Sequence, residues 1–326
     1  MKQNRYTELT QNFNNKNLII LGDIMMDAYY WGEADRISPE APVPIVQVKK
    51  ENYRAGGAGN VALNIKGLGS SPLLIGVVGS GKNRDKLLEI FQNNSIGTDT
   101  LFSSKEKNTT IKTRVIAQNQ QMLRFDLESA KLISTEIEDK IIDTLRIHIK
   151  DTNGLIFADY GKGVLTAKII SEAIQLSQEN NVPIYVDPKT QDYRSFEGVY
   201  LLKPNLLEFE SIVGKWKTEN EFISLGYKLR EKIGIKNLLV TRGAEGSTLF
   251  TKKQHYSIPT KALEVHDVSG AGDTAISTFA LADLSGAFIE ESALLANYAA
   301  GYVCGEVGVV PITLDNLTKI ANYYIS

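Results

Sequence analysis

The stretch DVSGAGD, Asp267 to Asp273, sets three small residues and a carboxylate directly ahead of the apolar run TAISTFALA. Backbone N–H groups of Gly270, Ala271 and Gly272 at a helix start would converge on one point, with the positive end of the helix dipole behind them. That arrangement stabilises a developing anion. Asp273, just inside the helix, could take the proton of a hydroxyl nucleophile. Donors on a migrating group and a base that orients an alcohol are what phosphoryl transfer requires. An Asp that only complements the dipole is the plainer reading, but a cap does not require three small residues beside it.

Other short stretches offer complementary chemistry. RAGGAGNVA, Arg54 to Ala62, has glycines at 56, 57 and 59 before Asn60 opens a helix. Glycine lets a backbone approach a ligand closely, and Asn60 could offer its amide to hydroxyls; a tight turn with an Asn cap accounts for the pattern equally well. In NLLEFE, Asn205 and Glu208 lie three apart on one helical face. They match a capping box, or an Asn and a Glu that hold Mg²⁺ through water beside nucleotide phosphates. TRGAEGS would contact phosphate or ribose through Thr241, Arg242 and Gly243, or is a plain glycine turn closing at Gly246. Asn297 in ANYAAGYV could face a base pocket, although a close helix–helix contact explains the neighbouring alanines.

These residues need a scaffold that gathers them. From about residue 134 helical and apolar β patterns alternate regularly, from STEIEDKIIDTLRIHI and GLIFADY onward to KNLLVTRG, GSTLF and QHYSI. Two helices close the series, Ala271 to about Leu284 and Glu290 to about Val303. Short apolar strands alternating with helices indicate an α/β fold with a mainly parallel sheet covered on both faces. NLIILGD reads as a buried strand running into a loop, PVPIVQVKK as an edge strand, and GGAGNVALNIKGLG as a loop and then a helix. TTIKTRVIAQ and QQMLRFDLE read as a hairpin with a polar tip at Gln118 to Gln121. The β-rich segments near 30–53 and 109–127 break the α/β rhythm and predict a small β lid on a single domain spanning 1–326. Ligands of open parallel sheets bind beyond the carboxyl ends of the strands. That singles out Asp23, Asp27, Asp159 to Gly163, Asp187-Pro188-Lys189, Lys203-Pro204-Asn205 and Thr241-Arg242-Gly243.

Composition narrows the function classes. The 326 residues are 43% hydrophobic and 23% charged, with a net charge of −2, so no global basic field points to nucleic acid or a membrane surface. One cysteine, Cys304, and three histidines without metal-pair spacing argue against disulfides and a thiolate cluster. The polar N-terminus has no signal-peptide core and no apolar run reaches the length of a membrane span, so a cytoplasmic protein is expected. No Gly-Lys-Ser/Thr follows the glycines at 56–59, which excludes a Walker A loop. No glycine fingerprint follows the first strand, which excludes a dinucleotide-binding dehydrogenase.

Taken together, GGAGNVALN, KPNLLE, TRGAEG and DVSGAGDTAISTF resemble, in order and spacing, the signatures of the ribokinase-like (PfkB-type) carbohydrate kinases. The resemblance runs from about Asn17 to Pro311. It implies a central sheet flanked by helices with a small β lid, Asp273 as catalytic base, and Gly270, Ala271 and Gly272 as anion hole. It also implies Mg-ATP binding at Asn205, Leu206, Leu207 and Glu208, and sugar contacts at Asp27, Gly56, Gly57 and Asn60. Within the family, LGDIMMDAYYWGEADRISPEAPVPIVQV, QQMLRFD, ADYGKGVL and VDPK resemble the group that phosphorylates D-glycero-β-D-manno-heptose 7-phosphate on the route to ADP-heptose and surface lipopolysaccharide. Because the sequence ends soon after the last kinase helix, a stand-alone kinase is expected. Lys203 departs from that group, which more often has a small polar residue there. A sugar already phosphorylated at one end needs a basic cluster distant from the base; Arg36, Arg124, Lys162 and Lys189 are the candidates, with Asp187 beside them. A kinase for an unphosphorylated sugar or nucleoside, and a non-catalytic sensor of the same fold, are the alternatives. An exposed lid edge could pair with its twin, so a homodimer is expected. The need for a monovalent cation stays open.

Overall fold

The computed structural model describes residues 1–118, 120–189, 192–260 and 266–324. Among these residues the N-terminal part holds α1 Gln3–Gln11, β1 Asn17–Ile37, β2 Pro44–Gly57, α2 Ala58–Gly67, β3 Ser71–Val78, α3 Lys82–Asn93, β4 Leu101–Ser103, β5 Thr110–Ala117 and β6 Gln120–Leu127. The regular α/β series follows with α4 Thr135–His148, β7 Gly154–Ala158, α5 Ala167–Asn180, β8 Ile184–Asp187, β9 Leu201–Leu202, α6 Leu206–Val213, α7 Glu219–Ile233 and β10 Asn237–Thr241. It closes with β11 Ser247–Phe250, β12 His255–Ile258, α8 Ala271–Leu284, α9 Ile289–Cys304 and α10 Leu314–Tyr324.

The main sheet runs β4-β3-β1-β7-β8-β9-β10-β11-β12. Every neighbouring pair from β4 to β10 is parallel, and the β10-β11-β12 end is antiparallel. Alternate residues of a strand face opposite sides, and β1 serves two cores this way. Leu18 and Ile20 join Val61, Phe279 and Ala299 beneath α1, α2, α3, α8, α9 and α10. Ile19 and Leu21 join Ile141, Leu145, Phe157 and Phe222 beneath α4 to α7. The ribokinase-like α/β architecture read from the sequence is the one observed.

Two local readings change. Gly22-Asp23 does not end the first strand. β1 pairs with β3 up to Asp23, and from Ile24 onward it pairs with β2 on one side, while β5 joins on the other from Met25. One strand therefore crosses from the main sheet into a second, four-stranded sheet ordered β2-β1-β5-β6. The second change concerns GGAGN: no loop precedes α2, because β2 extends through Gly57 and the helix starts at Ala58. Backbone geometry requires glycine there. Gly57 has φ 60°, and a Cβ on Gly56 would lie 2.3 Å from Asp27 Oδ2. β5 and β6 form the expected hairpin; residue 119 of its tip lies outside the described residues. Helices α1, α3 and α10 fall where no element was read from the sequence.

Candidate active site

The parallel topology carries the end of the main-sheet part of β1, at Asp23, and the C-terminal ends of β7, β8, β9 and β10 to one edge, and the starts of α2, α6 and α8 meet them there. α8 begins after Gly270, whose φ of 82° turns the chain into the helix. A Cβ at Gly270 would lie 2.9 Å from Asn60 Nδ2, so a larger residue would press on the amide that bonds Asp273. Asp273 sits in the first turn, 5% exposed. Its Oδ2 accepts a 2.7 Å hydrogen bond from Asn60 Nδ2, and its Oδ1 accepts one from the Tyr160 hydroxyl. Asn60 is fully buried and its Oδ1 has no hydrogen-bond partner. Thr274 Oγ1 clamps α8 to α2 by donating to Asn64 Oδ1 at 3.1 Å, and within α2 the Asn64 amide donates to Asn60 O at 2.8 Å. This cross-brace holds Asn60 against a residue more than two hundred positions away.

Burial pushes the Asp273 carboxyl up to about 7. The Tyr160 and Asn60 hydrogen bonds pull against that rise, and the charge of Asp187 adds to it. An acid poised near neutrality is suited to proton transfer at physiological pH. Behind the Gly-Ala-Gly turn lies an ion pair of a buried Lys203 and a half-buried Asp187. Lys203 Nζ is 2.9 Å from Asp187 Oδ1, and both groups are 3.4 Å from where a Cβ of Gly272 would sit. Gly272 thus leaves the lip of the α8 terminus open, with one cation and one anion flush against it.

The nucleotide-side candidates fall into two sets. Asn205 and Glu208 form a complete capping box at the start of α6, each bonding the other's backbone N–H at 2.9 Å. Asn205 also bridges to Thr241 across the strand ends. Leu206 packs inward against the core, whereas Leu207 is exposed. Arg242 turns away from this place: its guanidinium pairs with Glu219 at 2.6 Å and with Glu245, and lies 4.3 Å from the Phe222 ring centroid. Gly243 and Gly246 make the tight turn between β10 and β11, with φ 58° and 89°. Asn297 ties α9 to the end of β12 by donating to Pro259 O at 2.6 Å.

The basic residues expected to form one cluster are dispersed, and most have acid partners. Arg124 pairs with Asp126 at 2.9 Å, Lys162 with Glu128 at 2.8 Å and Lys189 with Glu208 at 3.1 Å. Arg36 is exposed. Lys189 therefore stands at the α6 terminus. Asp27 is buried and takes 2.5 Å charge-assisted contact from Arg114. Arg114 and Arg54 both approach the Tyr29 ring, at 5.2 and 5.3 Å, and Arg54 also donates to Val309 O. Arg114 and Arg54 were given no role from the sequence, and Tyr160 was marked only as part of the Asp159 to Gly163 strand end, with no role of its own. The period-2 spacing of Lys112 and Arg114 in TTIKTRV marks them as sharing one face of β5, and that was the available signal. Asp23 is a clamp: buried at the end of the main-sheet part of β1, it accepts from the N–H groups of Tyr160, Lys162 and Val164.

A helix start opened by small residues and a buried carboxylate in its first turn, gathered at one edge of an α/β sheet, form the arrangement that phosphoryl transfer to an alcohol would require. The pfkB family of carbohydrate kinases matches residues 15–315, and the chain belongs to that family. It is 42% identical over 307 residues to Bifunctional protein HldE of Haemophilus influenzae strain 86-028NP, covering 94% of this chain and 63% of that protein. It is 40% identical over 302 residues to Bifunctional protein HldE of Aliarcobacter butzleri, covering 92% and 63%. The chain thus spans less than two thirds of the length of these relatives. Among solved structures it resembles phosphofructokinase-2 from Escherichia coli in complex with potassium, with a TM-score of 0.77 at 17% identity over 94% of this chain and 98% of that one. It also resembles Arabidopsis thaliana ribokinase complexed with ribose and ATP, with a TM-score of 0.73 at 19% identity and the same coverages. At these identities the two structures support the fold.

Proposed function

We propose that this chain transfers the γ-phosphoryl group of ATP to the anomeric hydroxyl of D-glycero-β-D-manno-heptose 7-phosphate, giving the 1,7-bisphosphate used in ADP-heptose synthesis. The observation that carries the reading is Asp273, a buried carboxyl held near neutrality in the first turn of α8 beside the open Gly270-Ala271-Gly272 terminus. Asp273 accepts the proton of the sugar hydroxyl as its oxygen attacks the γ-phosphorus. The first-turn amides of α8 face the charge that builds on the transferring group, where fixed donors are worth most. Asn60 holds Asp273 in place and has an unused buried acceptor for a sugar hydroxyl.

The choice of a phosphorylated sugar is supported by the face of β1, β2, β5 and β6 that carries Asp27. In register, Asp27 lies beside Arg54 and Lys112, and Arg114 lies between Tyr29 and Arg124. This face would receive the sugar and its distal phosphate, with the second sheet acting as a lid. Heptose 7-phosphate is favoured by the identity to the HldE proteins and by the long matching segments outside the family signatures. Mg²⁺ would enter with the nucleotide and neutralise its phosphate charge. Glu208 fits an ion that keeps its waters, since Mg²⁺ in kinase sites is held by one or two carboxylates plus substrate phosphates. Among the described residues no cluster of three or more His, Cys, Asp or Glu forms a dedicated cage.

We place the protein in the cytoplasm as a homodimer. No helix among the described residues is long and apolar enough to cross a membrane. β6 pairs only with β5 among the described strands and exposes Leu123, Phe125 and Leu127 on one face; light scattering would read the dimer directly. The deciding experiment is an ATP-consumption screen with heptose 7-phosphate beside hexose phosphates, ribose and adenosine. A kcat/KM at least about a hundredfold higher for heptose 7-phosphate is expected; preference for an unphosphorylated sugar or nucleoside would overturn the substrate, and no turnover with any acceptor would indicate a sensor.

A further inference from the structure

Tyr160 follows β7 and belongs to neither the anion hole nor the expected sugar contacts, yet its hydroxyl donates to Asp273 Oδ1. With Asn60 on Oδ2, both oxygens of the carboxylate carry donors. A hydroxyl bonded to that oxygen has the chemistry of an acceptor alcohol about to lose its proton: the same O–H group meets the same atom. We propose that Tyr160 is a stand-in for the acceptor hydroxyl, a stopper that occupies Asp273 until the sugar displaces it and so keeps water from being phosphorylated in its place. The proposal rests on Asp273 being the base.

The surroundings fix the backbone of the loop, so a displaced stopper would have to move by its side chain. The N–H groups of Tyr160, Lys162 and Val164 all donate to buried Asp23, at 2.9, 2.9 and 3.1 Å, and Gly161 N donates to Asp159 Oδ1 at 2.9 Å. Lys107 Nζ donates to Lys131 O at 2.8 Å and to Lys162 O, pinning the same loop from the segment that enters β5. The next position in the loop is open, since a Cβ on Gly161 would meet only Lys189 Cγ, at 3.9 Å, while the Tyr160 ring packs against the core. With the backbone of this loop held, the stopper would leave Asp273 by rotation about the Tyr160 side-chain torsions. The second sheet reaches the ring as well, with Lys112 Nζ 5.9 Å from its centroid, so a sugar phosphate held on that sheet meets the stopper as it arrives. Burial and the neighbouring carboxylates keep the phenol protonated, as a donor must be.

The stopper makes two demands. Without it, a water on Asp273 gives up its proton to the carboxylate, its oxygen bonds to the γ-phosphorus of ATP, and the bridging P–O bond breaks to release ADP and phosphate. With it, the sugar's apparent affinity is reduced by the fraction of molecules in which Asp273 is open. The test compares the wild-type chain with Tyr160→Phe, Tyr160→Ala and Asp273→Asn, measuring ADP release without sugar and with heptose 7-phosphate. Circular dichroism establishes that each variant is folded; Tyr160→Phe keeps the ring volume and carries the test should the alanine variant unfold. Sugar-free ATP hydrolysis should rise about tenfold or more in Tyr160→Phe, the factor a hydrogen bond to a charged group controls, and further in Tyr160→Ala. The sugar KM should fall by a similar factor with kcat within about twofold. Unchanged sugar-free hydrolysis in both tyrosine variants overturns the proposal, and so does a lower kcat at unchanged KM in Tyr160→Phe, which would make Tyr160 a positioning residue. Normal turnover by Asp273→Asn would instead sink the base assignment, whatever the tyrosine variants do.

Discussion

Replacing Asp273 by Asn should make the folded protein more stable at alkaline pH, and the size of the gain follows from the site. The carboxyl holds its proton to about pH 7 in the folded chain, against 3.8 for an ordinary aspartate. Between those values the folded state binds more protons than the unfolded one, so this group makes stability fall as pH rises. The loss is complete a little above pH 7. A difference of about three pH steps, at about 1.4 kcal/mol each, gives an upper figure of about 4 kcal/mol. Asparagine stays neutral throughout and still offers groups to Asn60 Nδ2 and the Tyr160 hydroxyl. With an unfolding entropy of about 2 cal/mol/K per residue, the variant should melt about 5 °C above wild type at pH 8, with the gap closing toward pH 4. Melting curves of both proteins from pH 4 to 8 read the difference directly; groups common to both, Asp23 among them, cancel. A gap that does not widen with pH would refute the claim that folding opposes ionisation of this carboxyl.

Lys203→Met should destabilise the fold by about 1–3 kcal/mol, because it takes the cation from a half-buried Asp187; the double variant with Asp187→Asn should recover most of that loss, as denaturant titration would read. Gly226→Ala should cost about 1–3 kcal/mol by overpacking, since a Cβ there would lie 2.3 Å from the Phe250 ring; an unchanged denaturation midpoint would contradict the packing of α7 on β11.

Much of the scaffold was legible because strand and helix periods alternate cleanly after residue 134, and α8 begins where Gly270 turns the chain. The candidate site could be proposed where the groups are local: Gly270 to Asp273 lie on one turn, and Asn205 with Glu208 on another. What stayed hidden depends on partners far apart in the chain. Gly22-Asp23 carries turn residues, yet β3 pairs with this strand up to Asp23 and β2 pairs with it from Ile24, so the strand continues. Lysine and arginine positions could be read, but not the carboxylates that hold them. Lys189 meets Glu208 and Lys203 meets Asp187 because the ends of β8 and β9 and the start of α6 lie side by side. Tyr160 lies 113 positions from the aspartate it touches, and its hydroxyl leaves no mark on local pattern.

The central claim is that Asp273 removes the acceptor's proton while the start of α8 holds the transferring phosphoryl group, and the pH dependence of kcat/KM for wild type and Asp273→Asn tests it most directly. The account predicts a wild-type rate that rises with pH through about 7 and levels off, and a folded variant slower by about 10²–10⁴-fold at the plateau. A variant with near-normal rate and the same pH profile would contradict it.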